Sequence, residues 1–94
     1  GVAYGSDTAL VQRLLLEAAA AHDQVINDGS APEPRAYFQA FGDSSLNFDL
    51  LCHIKDVDVK LRVRSELQLA IDRAFRENQV EIPFPQRDVH FKRT

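Results

Sequence analysis

From Leu46 to Lys55 the chain alternates so regularly that few conformations can accommodate it. Leu46, Phe48, Leu50, Cys52 and Ile54 take every second position, and Asn47, Asp49, Leu51, His53 and Lys55, mostly polar, take the others. A period of two sends successive side chains to opposite faces of an extended backbone. The segment is therefore predicted to be a strand with one face on a core and the other mostly in water. Such a strand needs a neighbour. Arg35 to Phe41, rich in aromatic residues, is joined to it through Gly42, Asp43, Ser44 and Ser45, residue types that suit a hairpin turn.

On both sides of this pair the apolar spacing lengthens to that of a helix. Leu10, Val11, Leu14, Leu15, Ala18 and Ala19 recur at three- and four-residue steps opposite Gln12, Arg13, Glu17 and Asp23, predicting a helix over 8–22 with Ser6 or Asp7 as its cap. Asp28, Gly29, Ser30, Pro32 and Pro34 hold the following chain in a loop. Val63, Leu67, Ala70, Ile71, Ala74 and Phe75 form a second stripe opposite Arg62, Glu66, Asp72, Arg73 and Glu77. Its cap is Asp56 or Asp58, and the alternation of Val57, Val59, Leu61 and Val63 leaves the start of this helix open. Val2 to Tyr4, before the turn residues Gly5, Ser6 and Asp7, and Val80 to Ile82, before Pro83 and Pro85, read as short strands. The order is β-α-β-β-α-β. It predicts an α+β fold of ferredoxin-like βαββαβ type, with two helices on one face of a four-stranded antiparallel sheet and a C-terminal extended tail. The expected organisation is a ferredoxin-like domain over 1–82 followed by a proline-spaced strand over 83–94. In that order the strand at Val2 to Tyr4 is central, and sequence upstream of Gly1 is expected to lengthen it.

Composition narrows the function. Ninety-four residues suffice for one modest core. The apolar runs, Leu14 to Leu16 and Ala18 to Ala21, are far shorter than the ~20 residues that span a bilayer. Eleven Lys and Arg against fourteen Asp and Glu leave a formal charge of -3 and no basic surplus for a phosphate backbone, so no nucleic-acid partner is expected. The lone Cys52 excludes an internal disulfide and a multi-cysteine zinc site. It lies on the apolar face of its strand and is expected to be a small core residue rather than a reactive thiol. His22, His53 and His90 have no Cys or carboxylate at metal-ligand spacing and are expected to be ordinary surface histidines. Ser44 and Ser45 beside Asp43 suit a turn better than a nucleophile. Asp56 and Asp58 suit a helix start better than an acid–base pair. The glycines make neither a P-loop nor a dinucleotide fingerprint. No catalytic, metal or cofactor site is expected, and the chain does not read as an enzyme.

The tail raises a different question. Beyond the prolines, Gln86, Arg87, Asp88, Val89, His90, Phe91 and Lys92 place Val89 and Phe91 on one side of an extended strand and Asp88, His90 and Lys92 on the other. Ordering each backbone costs on the order of 1 to 2 kcal/mol, and burying Val89 and Phe91 returns only about 2 or 3 kcal/mol apiece. The segment either finds strand partners, for which copies of itself are the candidates, or frays.

Three stretches carry a resemblance. Gly1, Val2, Ala3, Tyr4, Gly5, Ser6 and Asp7 open the first helix, and Phe41, Gly42, Asp43, Ser44, Ser45, Leu46, Asn47 and Phe48 make the hairpin. Val80, Glu81, Ile82, Pro83, Phe84, Pro85 and Gln86 lead into Asp88, Val89, His90 and Phe91. Together they resemble the cytoplasmic C-terminal domain of the MscS family of small-conductance mechanosensitive channels, over essentially the whole chain. The resemblance implies a homoheptamer in a bacterial inner membrane, anchored by upstream transmembrane helices, with this domain in the cytoplasm as part of a vestibule wall. It implies that Pro83, Phe84, Pro85, Gln86, Arg87, Asp88, Val89, His90 and Phe91 form one strand of a small parallel β-barrel between subunits. The implied function is oligomerisation and solute filtering in a channel that releases solutes on osmotic downshock. The other reading is a free-standing ferredoxin-like ligand-binding or regulatory domain, since that fold hosts many functions.

Overall fold

The computed structural model describes residues 1–43 and 45–83. The first helical stripe becomes α1, Thr8–Ala21, which buries Val11, Leu14, Leu15 and Ala19. Asp7 is its cap, with the carboxylate accepting from the Leu10 N–H at 3.2 Å. Ser6 instead donates its hydroxyl to the Ala3 carbonyl at 2.7 Å, closing the turn that precedes the helix. The hairpin forms as expected. β1, Arg35–Phe41, runs antiparallel to β2, Leu46–Leu51, with Phe38 opposite Phe48 and Ala36 opposite Leu50. An irregularity between Phe38 and Ala40 shifts the register, so that Phe41 comes opposite Leu46. The predicted strand extends to Ile54, but β2 ends at Leu51, and Ile54 forms an isolated bridge to Val25 in the chain leaving α1.

The second helix starts later than either candidate cap. Asp56 accepts from the Asp58 N–H at 2.9 Å and caps a single 3₁₀ turn, Val57–Val59, which runs into α2, Lys60–Glu77. Asp58 therefore caps nothing. The alternating valines at 57 and 59 belong to this tighter turn, where the spacing of apolar residues fits neither strand nor α-helix. Val63, Leu67 and Phe75 are buried and Ile71 and Ala74 are half-buried, as the stripe predicts, whereas Ala70 is exposed.

α2 stops without the glycine that usually permits a sharp exit. Gln79 takes the left-handed conformation, with φ at 60°. Its N–H donates to the Arg76 carbonyl at 3.3 Å, and the Val80 N–H donates to the Phe75 carbonyl at 2.8 Å. These are the two bonds of a Schellman cap, and Val80 packs against the core beneath it. The chain is thereby turned back across the domain. The Ala3 N–H donates to the Glu81 carbonyl at 2.8 Å, and Val2 exchanges bonds of 2.9 and 2.7 Å with Leu46.

The neighbour order is thus the segment at 80–82, then Val2 and Ala3, then β2, then β1. The sequence predicts four strands, and the structure is α+β, but among the described residues only β1 and β2 make a regular sheet. The expected first strand is represented by the Val2–Leu46 bridge and the expected last one by the single Ala3–Glu81 bond. Gly5, at φ 87°, turns the chain out of the sheet, and Pro83 has no N–H to continue a ladder.

Two apolar clusters hold these elements together. Val2, Val11, Leu14, Leu15, Leu46 and Phe75 form one, and Ala19, Val25, Val63 and Leu67 the other. Leu50 of β2 packs against both. Val2 is only 1% exposed, so the extended run before Gly5 is anchored in the core.

Candidate assembly surface and apolar groove

The candidate site residues begin where the Schellman cap delivers the chain. Pro83 is half-buried and follows Ile82 out of the sheet region. Phe84, Pro85, Gln86, Arg87, Asp88, Val89, His90 and Phe91 lie outside the described residues. The structure therefore locates the root of the tail at Pro83, two residues past the Glu81–Ala3 bond.

A row of rings stands at one end of the hairpin. Phe48 stacks on Phe38 with centroids 5.3 Å apart, Phe38 meets Phe41 edge to face at 5.0 Å, and Phe41 stacks on Tyr4 at 6.4 Å. The Tyr4 hydroxyl donates to the Gly42 carbonyl and pins the turn before α1 to the hairpin. The offset after Phe38 brings Phe41 into the row, and nothing in the local sequence announces the pairing with Tyr4. Phe41 nevertheless keeps 73% of its surface exposed. Val57, Leu61 and Leu69 are also exposed, on the 3₁₀ turn and α2, Leu61 with 77% of its surface. Singly exposed apolar side chains of this kind are common on folded surfaces.

Sequence reasoning also missed a groove between β2 and α2, with a volume of about 780 Å³. Leu50, Cys52 and Ile54 line one wall and Val63, Leu67 and Ile71 the other. Gly1 and Val2 border it as well. Each wall was legible as an apolar face, but whether two faces meet is decided by the helix's position over the sheet. Burial in this wall pushes the Cys52 thiol above its ordinary pKa, consistent with a packed rather than a reactive cysteine.

Among the polar candidates, His22 departs from the expectation of a surface residue. Its side chain is 11% exposed, with Nδ1 accepting from the Gln24 N–H at 3.1 Å and Nε2 at 2.7 Å from Glu66 Oε1. A ring whose Nδ1 accepts carries its proton on Nε2, so the imidazole donates to Glu66 and ties the end of α1 to α2. His53 is exposed as expected, and His90 lies outside the described residues. Arg76 pairs with Asp72 at 3.2 Å and Arg62 with Glu66 at 3.3 Å, each one helical turn apart on the surface. Among the described residues no cluster of His, Cys, Asp or Glu is arranged to hold a metal, and no helix is long and apolar enough to cross a membrane.

The family model described as "Mechanosensitive ion channel MscS, C-terminal" matches residues 1–82. An uncharacterized MscS family protein of Haemophilus influenzae is 39% identical over 98% of the chain, and the mechanosensitive channel MscK of Escherichia coli is 40% identical over 96%. A small-conductance mechanosensitive channel of Helicobacter pylori is 36% identical over 98%. The chain spans 8% of the length of each of the first two relatives and 32% of the third. With the model matching along nearly the whole described fold, the chain belongs to the MscS family of mechanosensitive ion channels, and it corresponds to the family's C-terminal domain.

Proposed function

We propose that this domain walls the cytoplasmic vestibule of a homoheptameric channel in a bacterial inner membrane, and that 83–94 form the strand through which subunits join in a parallel barrel. The observation that carries the proposal is the exit of the chain. The Schellman cap and the Glu81–Ala3 bond fix the direction in which Pro83 leaves the domain, so each copy presents its tail from the same place. In a closed barrel every tail strand has a neighbour on each side, which removes the free edges that a lone strand would expose. Pro83 and Pro85 stiffen the hand-over and lower the entropy lost on assembly. Phe41, Val57, Leu61 and Leu69 supply apolar surface for lateral contacts. In this reading the domain contributes oligomerisation and a sieve that solutes cross on their way to the pore during osmotic downshock, and upstream helices sense tension.

The test is the mass of the detergent-solubilised full-length protein by light scattering, with and without 83–94. The expected result is a heptamer that loses subunits or becomes concentration-dependent on truncation. An unchanged subunit count removes the tail from assembly. Survival of downshock by channel-deficient cells expressing either form extends the test to function, and full rescue by the truncated form contradicts a functional role for the barrel.

A further inference from the structure

We infer that the outer edge of β1 is a latent pairing surface for β1 of a second copy of this chain, and that the side chain of Gln12 keeps it closed. β1 ends the sheet: among the described residues its only strand neighbour is β2, and six of its seven residues are exposed. From Ala36 to Phe41 it carries three aromatic side chains and no charge, proline or glycine, a composition that favours strand-to-strand association. Natural proteins blunt a free edge of this kind. Pro34, immediately before β1, offers no N–H, and the irregularity between Phe38 and Ala40 breaks the ladder further on. Ala36 and Phe38 are left as the regular edge positions.

The direction of their backbone groups follows from the other side of the hairpin. Leu46 exchanges both its hydrogen bonds with Val2, so it points away from β1. Alternation gives Phe48 and Leu50 the same direction. Phe38 and Ala36, which stand opposite them, therefore send their N–H and C=O groups outward to the free edge. One of these groups is already taken: Gln12 reaches across from α1, and its Nε2 donates to the Ala36 carbonyl at 3.1 Å. A two-fold antiparallel pairing of β1 with itself needs that same carbonyl. With Tyr37 of each copy opposite its counterpart, Ala36 exchanges both its hydrogen bonds with the second copy's Phe38, and Phe38 does so with the second copy's Ala36. Half of the bonds so formed end on an Ala36 carbonyl. In this register Arg35, the one charged residue of β1, falls beside the second copy's Gln39, so no like charges meet, and the two Tyr37 rings make a cross-strand aromatic pair. Gln12 thus competes for the acceptor on which the pairing depends. This inference is independent of the heptamer and the barrel.

Light scattering and hydrogen exchange on the detergent-solubilised full-length protein test it. The parent is expected to hold one mass on concentration. Gln12→Ala, which keeps a good helix former at that position, is expected to rise to at least about twice the parent mass. Gln12→Lys retains a donor for the Ala36 carbonyl and is expected to match the parent. Gln12→Ala combined with Tyr37→Lys sets like charges opposite each other in the pairing and is expected to return to the parent mass. In the associated variant the Phe38 amide is expected to exchange at least about tenfold more slowly than in the parent. A Gln12→Ala mass equal to the parent's, equal association of Gln12→Lys, association without slowed exchange at Phe38, or association that survives Tyr37→Lys each overturns the proposal. The parent alone gives a further readout. Its Phe38 amide, facing outward, is expected to exchange at least about tenfold faster than that of Tyr37, which pairs with Asp49. Equal protection of the two refutes a free edge even if the variants fail to fold. The subunit count of the parent bears on none of these results.

Discussion

Leu14 and Leu67 offer a direct test of how the two halves of the core differ. Both are nearly inaccessible in the chain beginning at Gly1, at 4% and 8% exposure, and both sit on the inner stripe of a helix. Leu14 belongs to the cluster with Val2, Phe75 and Leu46, and Leu67 forms part of the groove wall. Truncation to alanine removes the same atoms at each position, a transfer loss of about 2 kcal/mol at roughly 0.8 kcal/mol per methylene. A second contribution depends on what remains. At Leu14 the surroundings close over a cavity, and the total is expected at about 3 to 5 kcal/mol. At Leu67 the substitution widens a groove already open to water, so the cavity contribution is small and the total stays near about 2 kcal/mol. The gap of about 1 to 3 kcal/mol corresponds to roughly 5- to 150-fold in the unfolding equilibrium. Urea denaturation of the two variants, compared at equal m-value, measures it. A loss at Leu67 as large as that at Leu14 would refute the distinction between a closed core and an open groove.

Asp7→Ala is expected to cost about 1 kcal/mol by removing the acceptor for the Leu10 N–H, and Asp7→Asn far less; thermal unfolding checks both, at roughly 4 to 8 °C per kcal/mol for a domain of this size. Gln79→Gly is expected to stabilise by about 1 kcal/mol, because glycine takes the left-handed conformation without the strain a side chain brings, and an unchanged or lowered Tm would show that Gln79 is held there by other contacts. A double-mutant cycle with His22→Gln and Glu66→Gln is expected to give a coupling below about 1 kcal/mol, since Glu66 is open to solvent. Burial raises the Cys52 pKa in the folded chain, so the unfolded chain ionises first and stability falls as pH rises through the ordinary thiol range. Urea midpoints of the parent and Cys52→Ala across that range check the sign: the parent's decline should exceed that of the variant.

Which residues form which kind of element was largely written in the chain. The stripe from Leu10 to Ala19 and the alternation from Leu46 to Ile54 act through local geometry, so period alone identified α1 and, up to its last residues, β2, and the cap could be narrowed to Ser6 or Asp7 because the N–H it accepts from lies within one turn. The opening run to Asp7, the hairpin and the proline-spaced end together placed the chain among its relatives. Four features depended on the assembled fold. The isolated Val2–Leu46 bridge, the ring row from Phe48 to Tyr4, the His22–Glu66 contact and the groove all join residues distant in sequence. Periodicity says which face of an element avoids water, but the partner of that face is chosen by packing and by the direction in which each turn sends the chain. The exit at Gln79 illustrates the difference: glycine is the usual signal for a left-handed cap, and here the two bonds around Gln79 and the burial of Val80 impose that turn on a residue whose side chain disfavours it.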